Sequence, residues 1–173
     1  NTILNLIDKV DTLIIGGGMA NTFLYAKNIE IGNSIYEKNM VETAKKILIY
    51  AKEKNREIML PIDAVVAKKL GANEKTSTYS INSLPDDQMV LDIGPRTVEL
   101  LIQKISKCKS LVWNGPLGAF EIKPFDIGTK KIAEAVASLS KQNQLLSVAG
   151  GGDTIASLST SQKHFSYVST AGG

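Results

Sequence analysis

Two apolar rhythms alternate along the 173 residues. Short continuous apolar runs read as buried strands at residues 12–15, 57–60, 89–91, 110–113, 145–149 and 166–168. Between them apolar residues recur every three or four positions, the spacing of one helical face. Met19, Phe23 and Ala26 mark a helix over 19–26; Val41, Ala44, Leu48 and Ala51 mark one over 37–54. Further helices are expected over 96–107 and 125–141, with a helix start over 154–158. Ile3, Leu6, Ile7 and Val10 share a face, so residues 1–10 read as the tail of a helix. Residues 63–70 and 76–81 are shorter and alternate, the mark of an antiparallel excursion.

The order strand, loop, helix, repeated with apolar strands, predicts an α/β fold: a Rossmann-like three-layer domain, mostly parallel sheet with helices on both faces. No linker, repeat or low-complexity tract interrupts it, so residues 1–173 read as one domain. In such sheets ligands bind beyond the carboxyl ends of the strands. Those ends read Gly16-Gly17-Gly18, Asp92-Ile93-Gly94-Pro95, Asn114-Gly115-Pro116, Gly150-Gly151-Gly152-Asp153-Thr154 and Thr170-Ala171-Gly172-Gly173. Five small-residue turns are therefore expected on one rim, around a cleft where main chain touches ligand.

Composition narrows the partners. A net charge of +3, with no basic run interleaved with aromatics, argues against nucleic acid. No apolar run approaches the roughly 20 residues of a membrane span. Cys108 is the single cysteine, which excludes an internal disulfide and fits a reducing, cytoplasmic setting; an inert, partly buried thiol is expected. The single histidine, His164, has no cysteine at metal-ligand spacing and reads as a loop or helix-end residue.

The chemistry gathers in two turns. Residues 111–121 open as a strand, break on Asn114-Gly115-Pro116 and end in Glu121, whose two acceptors suit a pair of vicinal hydroxyls. Gly118 leaves room for a flat ligand against the main chain. Gly150 to Thr154 follows a strand and opens a helix, an arrangement that aims free N–H groups at a phosphate. Asp153 there reads as an N-cap, as the carboxylate of a magnesium ion that reconciles it with the phosphates, or as both, since a cap and a ligand can use different oxygens. Thr154 adds a hydroxyl. Neither a P-loop nor Gly-x-Gly-x-x-Gly occurs, which argues against a P-loop kinase and an NAD-dependent oxidoreductase.

Trp113-Asn114-Gly115-Pro116 with Gly118 and Phe120-Glu121, the run Gly150 to Thr154, and Ser169-Thr170-Ala171-Gly172-Gly173 resemble the C-terminal domain of phosphoglycerate kinase. So do Ile14-Ile15-Gly16-Gly17-Gly18-Met19-Ala20 and Leu91 to Pro95, in the family's order and spacing. The resemblance implies the nucleotide-binding half of a glycolytic kinase acting on 1,3-bisphosphoglycerate and ADP with Mg²⁺. It implies that Gly16, Gly17, Ile35, Leu70 and Leu91 line an adenine pocket, and that Pro116 and Glu121 hold the ribose. Asn114 would lie near the phosphates; Gly151, Gly152, Asp153 and Thr154 would take the phosphates and the metal, and Gly172 and Gly173 the transferring group. The resemblance implies that a lysine-bearing segment and a central strand, which the family has before the position of Asn1, the helix after Gly173 and the phosphoglycerate-binding N-terminal domain all fall outside these 173 residues. Ala171 stands where the family more usually has glycine. A fragment inactive alone is therefore expected, from a full-length protein that is a monomer. A non-catalytic nucleotide-binding or interaction module on the same fold is the alternative.

Overall fold

The computed structural model describes residues 7–170. The expected helical tail over 1–10 lies largely outside them, though Ile7 and Val10 are buried. In order come β1 (Thr12–Ile15), α1 (Gly17–Ala26), α2 (Val41–Glu53), β2 (Glu57–Met59), β3 (Asp63–Ala67), β4 (Ser77–Ser80) and β5 (Met89–Ile93). Then follow α3 (Pro95–Ile105), β6 (Ser110–Asn114), α4 (Ile127–Lys141), β7 (Leu146–Gly150), α5 (Gly152–Leu158) and β8 (Tyr167–Ser169).

Five strands form a parallel sheet in the order β2-β1-β6-β7-β8. Its two faces follow from the two-residue period of a strand. Ile14, Leu111 and Trp113 point into one core, with Leu101 and Ile105 of α3 and Ile132 and Val136 of α4. Their neighbours Leu13, Ile15 and Val112 point into the other, with Phe23 of α1 and Ile47 of α2. Helices cover both faces, as the strand-helix alternation requires. Trp113 is fully buried; its indole N–H donates to Gly115 O at 2.7 Å, tying the strand to the turn it leads into.

At the centre of the sheet β1 and β6 pair directly, Thr12 opposite Leu111 through Ile15 opposite Asn114. Buried N–H and C=O groups left unpaired would be costly, and this parallel pairing satisfies them.

One expectation is corrected. Residues 89–91 read as a strand contributing its carboxyl-end turn to the parallel rim. β5 instead runs antiparallel to β3 in a second sheet, β4-β3-β5. A parallel neighbour needs a long crossover, usually a helix. Between β2 and β5 the only helical turn is the three-residue Ile81–Ser83, so β5 has no such route. The second sheet is fastened at the start of α3. Asp63 accepts from Arg96 N at 3.0 Å and Thr97 N at 2.8 Å, capping from another strand a helix that begins on Pro95.

Candidate functional site

The turns at the carboxyl ends of the parallel strands are laced together by main-chain groups. Gly16 N donates to Asn114 O at 3.0 Å, and Gly151 N to Ser169 O at 2.8 Å. Gly115 N donates to Thr154 Oγ1 at 2.7 Å. The first two turns approach so closely that a Cβ on Gly16 would lie 2.2 Å from Pro116 O and 2.5 Å from Gly115 O. Only glycine fits there.

Between this rim and the second sheet lies a cleft of about 380 Å³, within the range of small-ligand sites. One wall is Gly16, Gly17, Gly18 and Asn21 of α1; the other is Met89 and Leu91 of β5; Pro116, Ala119, Phe120 and Glu121 close one end. Ile35 and Leu70 border the cleft, 69% and 46% exposed, apolar surface that no described residue covers. Asp153 borders the cleft from the rim. β5 thus contributes to the cleft as an opposing wall, although its turn is not on the parallel rim.

Of the residues singled out from sequence, Gly16, Gly17, Ile35, Leu70, Leu91, Pro116, Glu121 and Asp153 line this one cleft. Asn114 ends β6, and its Oδ1 lies 3.7 Å from where a Cβ on Gly151 would sit. Gly151 and Gly152 open α5, and Thr154 beside them is 2% exposed with its hydroxyl oxygen committed to Gly115 N. Gly172 and Gly173 lie outside the described residues.

Asp153 is not a cap. The N-cap of α5 is Gly151, no side chain closes it, and Asp153 is the second helical residue, exposed beside the cleft. A Cβ on Gly152 would meet nothing within 4 Å, so packing among the described residues does not demand glycine there. A bare turn with a free carboxylate beside it suits a ligand that approaches main chain. Among the described residues no cluster of three or more metal-ligating side chains exists. The donor set fits Mg²⁺, which is commonly held by one or two carboxylates together with substrate phosphates.

Three residues at or behind the cleft have roles that their sequence context does not give, although Asp92 belongs to the Asp92-Ile93-Gly94-Pro95 turn. Thr129 Oγ1 accepts from Leu117 N at 3.0 Å and holds the Pro116–Glu121 segment against α4. Asp92, 2% exposed, accepts from Ile93 N at 2.8 Å and Gly128 N at 3.0 Å, bridging β5 to the first turn of α4. Burial pushes its carboxyl up to about 7 against those two bonds, and Asp126 adds to the rise. Asn21 lines the cleft four residues after Gly17; that helical spacing is the one signal that could have found it. Cys108 bears out its reading: burial pushes the thiol up to about 11, far from a reactive thiolate. His164 ends a 3-10 stretch, Ser159–His164.

Fold and site define a three-layer α/β protein whose cleft opens at the carboxyl ends of a parallel sheet. The family model for phosphoglycerate kinase matches residues 1–173. The chain belongs to the phosphoglycerate kinase family. It is 52% identical over 171 residues to a phosphoglycerate kinase of Methylorubrum extorquens (strain PA1), covering 98% of this chain and 43% of that protein. To the Granulibacter bethesdensis phosphoglycerate kinase it is 54% identical, with the same coverage. Among solved structures, phosphoglycerate kinase from Coxiella burnetii superposes with a TM-score of 0.87 at 40% identity, covering 99% of this chain and 44% of that one. Phosphoglycerate kinase from Pyrococcus horikoshii OT3 gives 0.73 at 28%, covering 98% of this chain and 43% of that one. The chain thus spans less than half the length of these relatives. Among the described residues no helix is long and apolar enough to cross a membrane.

Proposed function

We propose that this chain is the nucleotide-binding domain of a cytoplasmic glycolytic kinase that transfers a phosphoryl group between 1,3-bisphosphoglycerate and ADP, giving 3-phosphoglycerate and ATP. The observation that carries this reading is one cleft joining an apolar slot, a ribose-suited carboxylate and a bare glycine turn with a free aspartate. Gly16 and Gly17 present main chain to one face of the adenine, with Ile35, Leu70 and Leu91 around it. Pro116 shapes the ribose end and Glu121 accepts from its hydroxyls, while Asn114 stands by the phosphates. Gly151 and Gly152 offer main chain to the phosphates beside Asp153, and Thr154 holds that turn to Gly115. Gly172 and Gly173 are assigned the transferring group from their sequence motif alone. Mg²⁺ at Asp153 would neutralise phosphate charge during transfer.

Transfer depends on positioning two substrates. The phosphoglycerate is assigned to a part of the longer relatives that these 173 residues do not match, so a 173-residue product is expected to bind ADP without turnover in a coupled assay. The test is ADP titration with and without Mg²⁺ on wild type and Asp153→Asn. Because Asp153 caps nothing, the variant keeps the unliganded stability of wild type and loses most of the magnesium enhancement. Undiminished enhancement refutes the metal role, and absence of ADP binding by the wild type refutes the whole reading.

A further inference from the structure

Asn114-Gly115 is the single Asn-Gly pair in the sequence. Such a pair carries its own reaction, because glycine has no Cβ to keep its main-chain nitrogen away from the preceding side chain. Gly115 N, once its proton has gone to hydroxide, can attack Asn114 Cγ. The N–Cγ bond forms, the Cγ–Nδ2 bond breaks, and the side-chain nitrogen leaves as ammonia. The product is a cyclic succinimide. Water then opens either C–N bond of the ring to give aspartate or isoaspartate. One water is consumed and one ammonia released, and nothing is oxidised or reduced.

The fold fastens both ends of this peptide group. Asn114 O accepts from Gly16 N at 3.0 Å, and Gly115 N donates to Thr154 Oγ1 at 2.7 Å. Asn114 ends β6 with Ile15 opposite it on one side and Gly150 on the other. Just beyond, Gly115 O accepts from the indole of buried Trp113 at 2.7 Å. Ring closure requires the peptide plane to swing about the Asn114 Cα–C bond, which strains the bonds at both ends. It also requires the Gly115 N–H to ionise, and an N–H held by an acceptor gives up its proton less readily. The partner of that nitrogen is a side chain on another element: Thr154, 2% exposed, in the first turn of α5.

We propose that Asn114 is a latent site of spontaneous deamidation, and that Thr154 Oγ1 keeps it closed by holding the Gly115 N–H. The proposal holds whatever the cleft binds. When the α5 turn lifts away, the attacking nitrogen loses its acceptor while the rest of β6 stays paired. Conversion then puts a carboxylate at the rim, and isoaspartate adds a main-chain atom to the end of β6. Asn114 Oδ1 lies 3.7 Å from where a Cβ on Gly151 would sit, so the new charge falls beside the glycine turn that opens α5.

The experiment ages the 173-residue chain at mildly alkaline pH and follows the peptide containing Asn114 by mass, reading a gain of about 1 Da and the isoaspartate fraction. Folded wild type is expected to convert more slowly than the same chain in guanidinium chloride. Thr154→Val, close in shape and without the hydroxyl, is expected to convert about 2- to 10-fold faster than wild type, the scale of one neutral hydrogen bond. Thr154→Ser keeps the acceptor and stays near wild type. General loss of stability would also speed the reaction, so Ile132→Val is the control: it trims a fully buried methyl group on α4 and destabilises without touching this turn. Equal rates in folded and unfolded wild type overturn the proposal. So does an unchanged rate in Thr154→Val, a Thr154→Ser rate equal to that of Thr154→Val, or an equal rise in Ile132→Val. Where Thr154→Val fails to fold by circular dichroism, Thr154→Ala reads the same rate.

Discussion

Asp92 should make this protein less stable as pH rises through the neutral range. Its carboxyl sits near 7 in the folded chain against 3.8 for the free group, chiefly because burial disfavours the charge. Below 3.8 both folded and unfolded chains hold the proton and nothing is lost. Between 3.8 and 7 the folded chain holds more protons than the unfolded one, so stability falls with rising pH; above 7 the loss is complete. At 1.36 kcal/mol per pH unit the whole gap is worth roughly 4 kcal/mol, of which about 3 kcal/mol falls between pH 4.5 and 7.5. The group is 2% exposed, so solvent screening does little to reduce this. Asp92→Asn keeps the shape and removes the titration. It leaves one of the Ile93 and Gly128 N–H groups without an acceptor, a cost of about 1 kcal/mol that does not vary with pH. Urea unfolding of both proteins at pH 4.5, 6.0 and 7.5 reads the difference. The variant is expected to gain on wild type by about 3 kcal/mol across that span. A gap that stays constant within about 0.5 kcal/mol would refute the claim that burial governs the charge of this group.

Gly16→Ala places a Cβ 2.2 Å from Pro116 O, and main chain cannot step aside as a side chain would. A loss of about 3 kcal/mol or more is expected from urea midpoints, together with loss of ADP binding; an unchanged midpoint refutes the close approach of the two turns. Glu121→Ala should weaken ADP by roughly 1.5–3 kcal/mol, the scale of hydrogen bonds to a charged group, and leave 2′,3′-dideoxy-ADP nearly unaffected. Equal losses for both ligands sink the ribose assignment.

Local pattern carried much of this protein. The continuous apolar runs around Ile14 and Val112 and the helical spacing of Val41, Ala44, Leu48 and Ala51 mark strands and helices whatever surrounds them. Small residues at strand ends mark where main chain must pass close, and Gly16 and Pro116 meet across that rim. Period says which face a residue takes, not which strand lies beside it. β1 and β6, from opposite halves of the chain, became neighbours through global packing, and β5 went to the second sheet because no crossover could return it to the first. The hydrogen-bond roles of Thr129, Asp92 and Asn21 were illegible for a related reason: they depend on what faces each side chain. The spacing of a helix can put Asn21 beside Gly17, but only the loop folding back with Ile35 occupies its nitrogen. Likewise an aspartate after a leucine is an ordinary pair in sequence. Asp92 acquires a carboxyl near 7 only once β5, the Gly118 turn and the start of α4 close over it and exclude water.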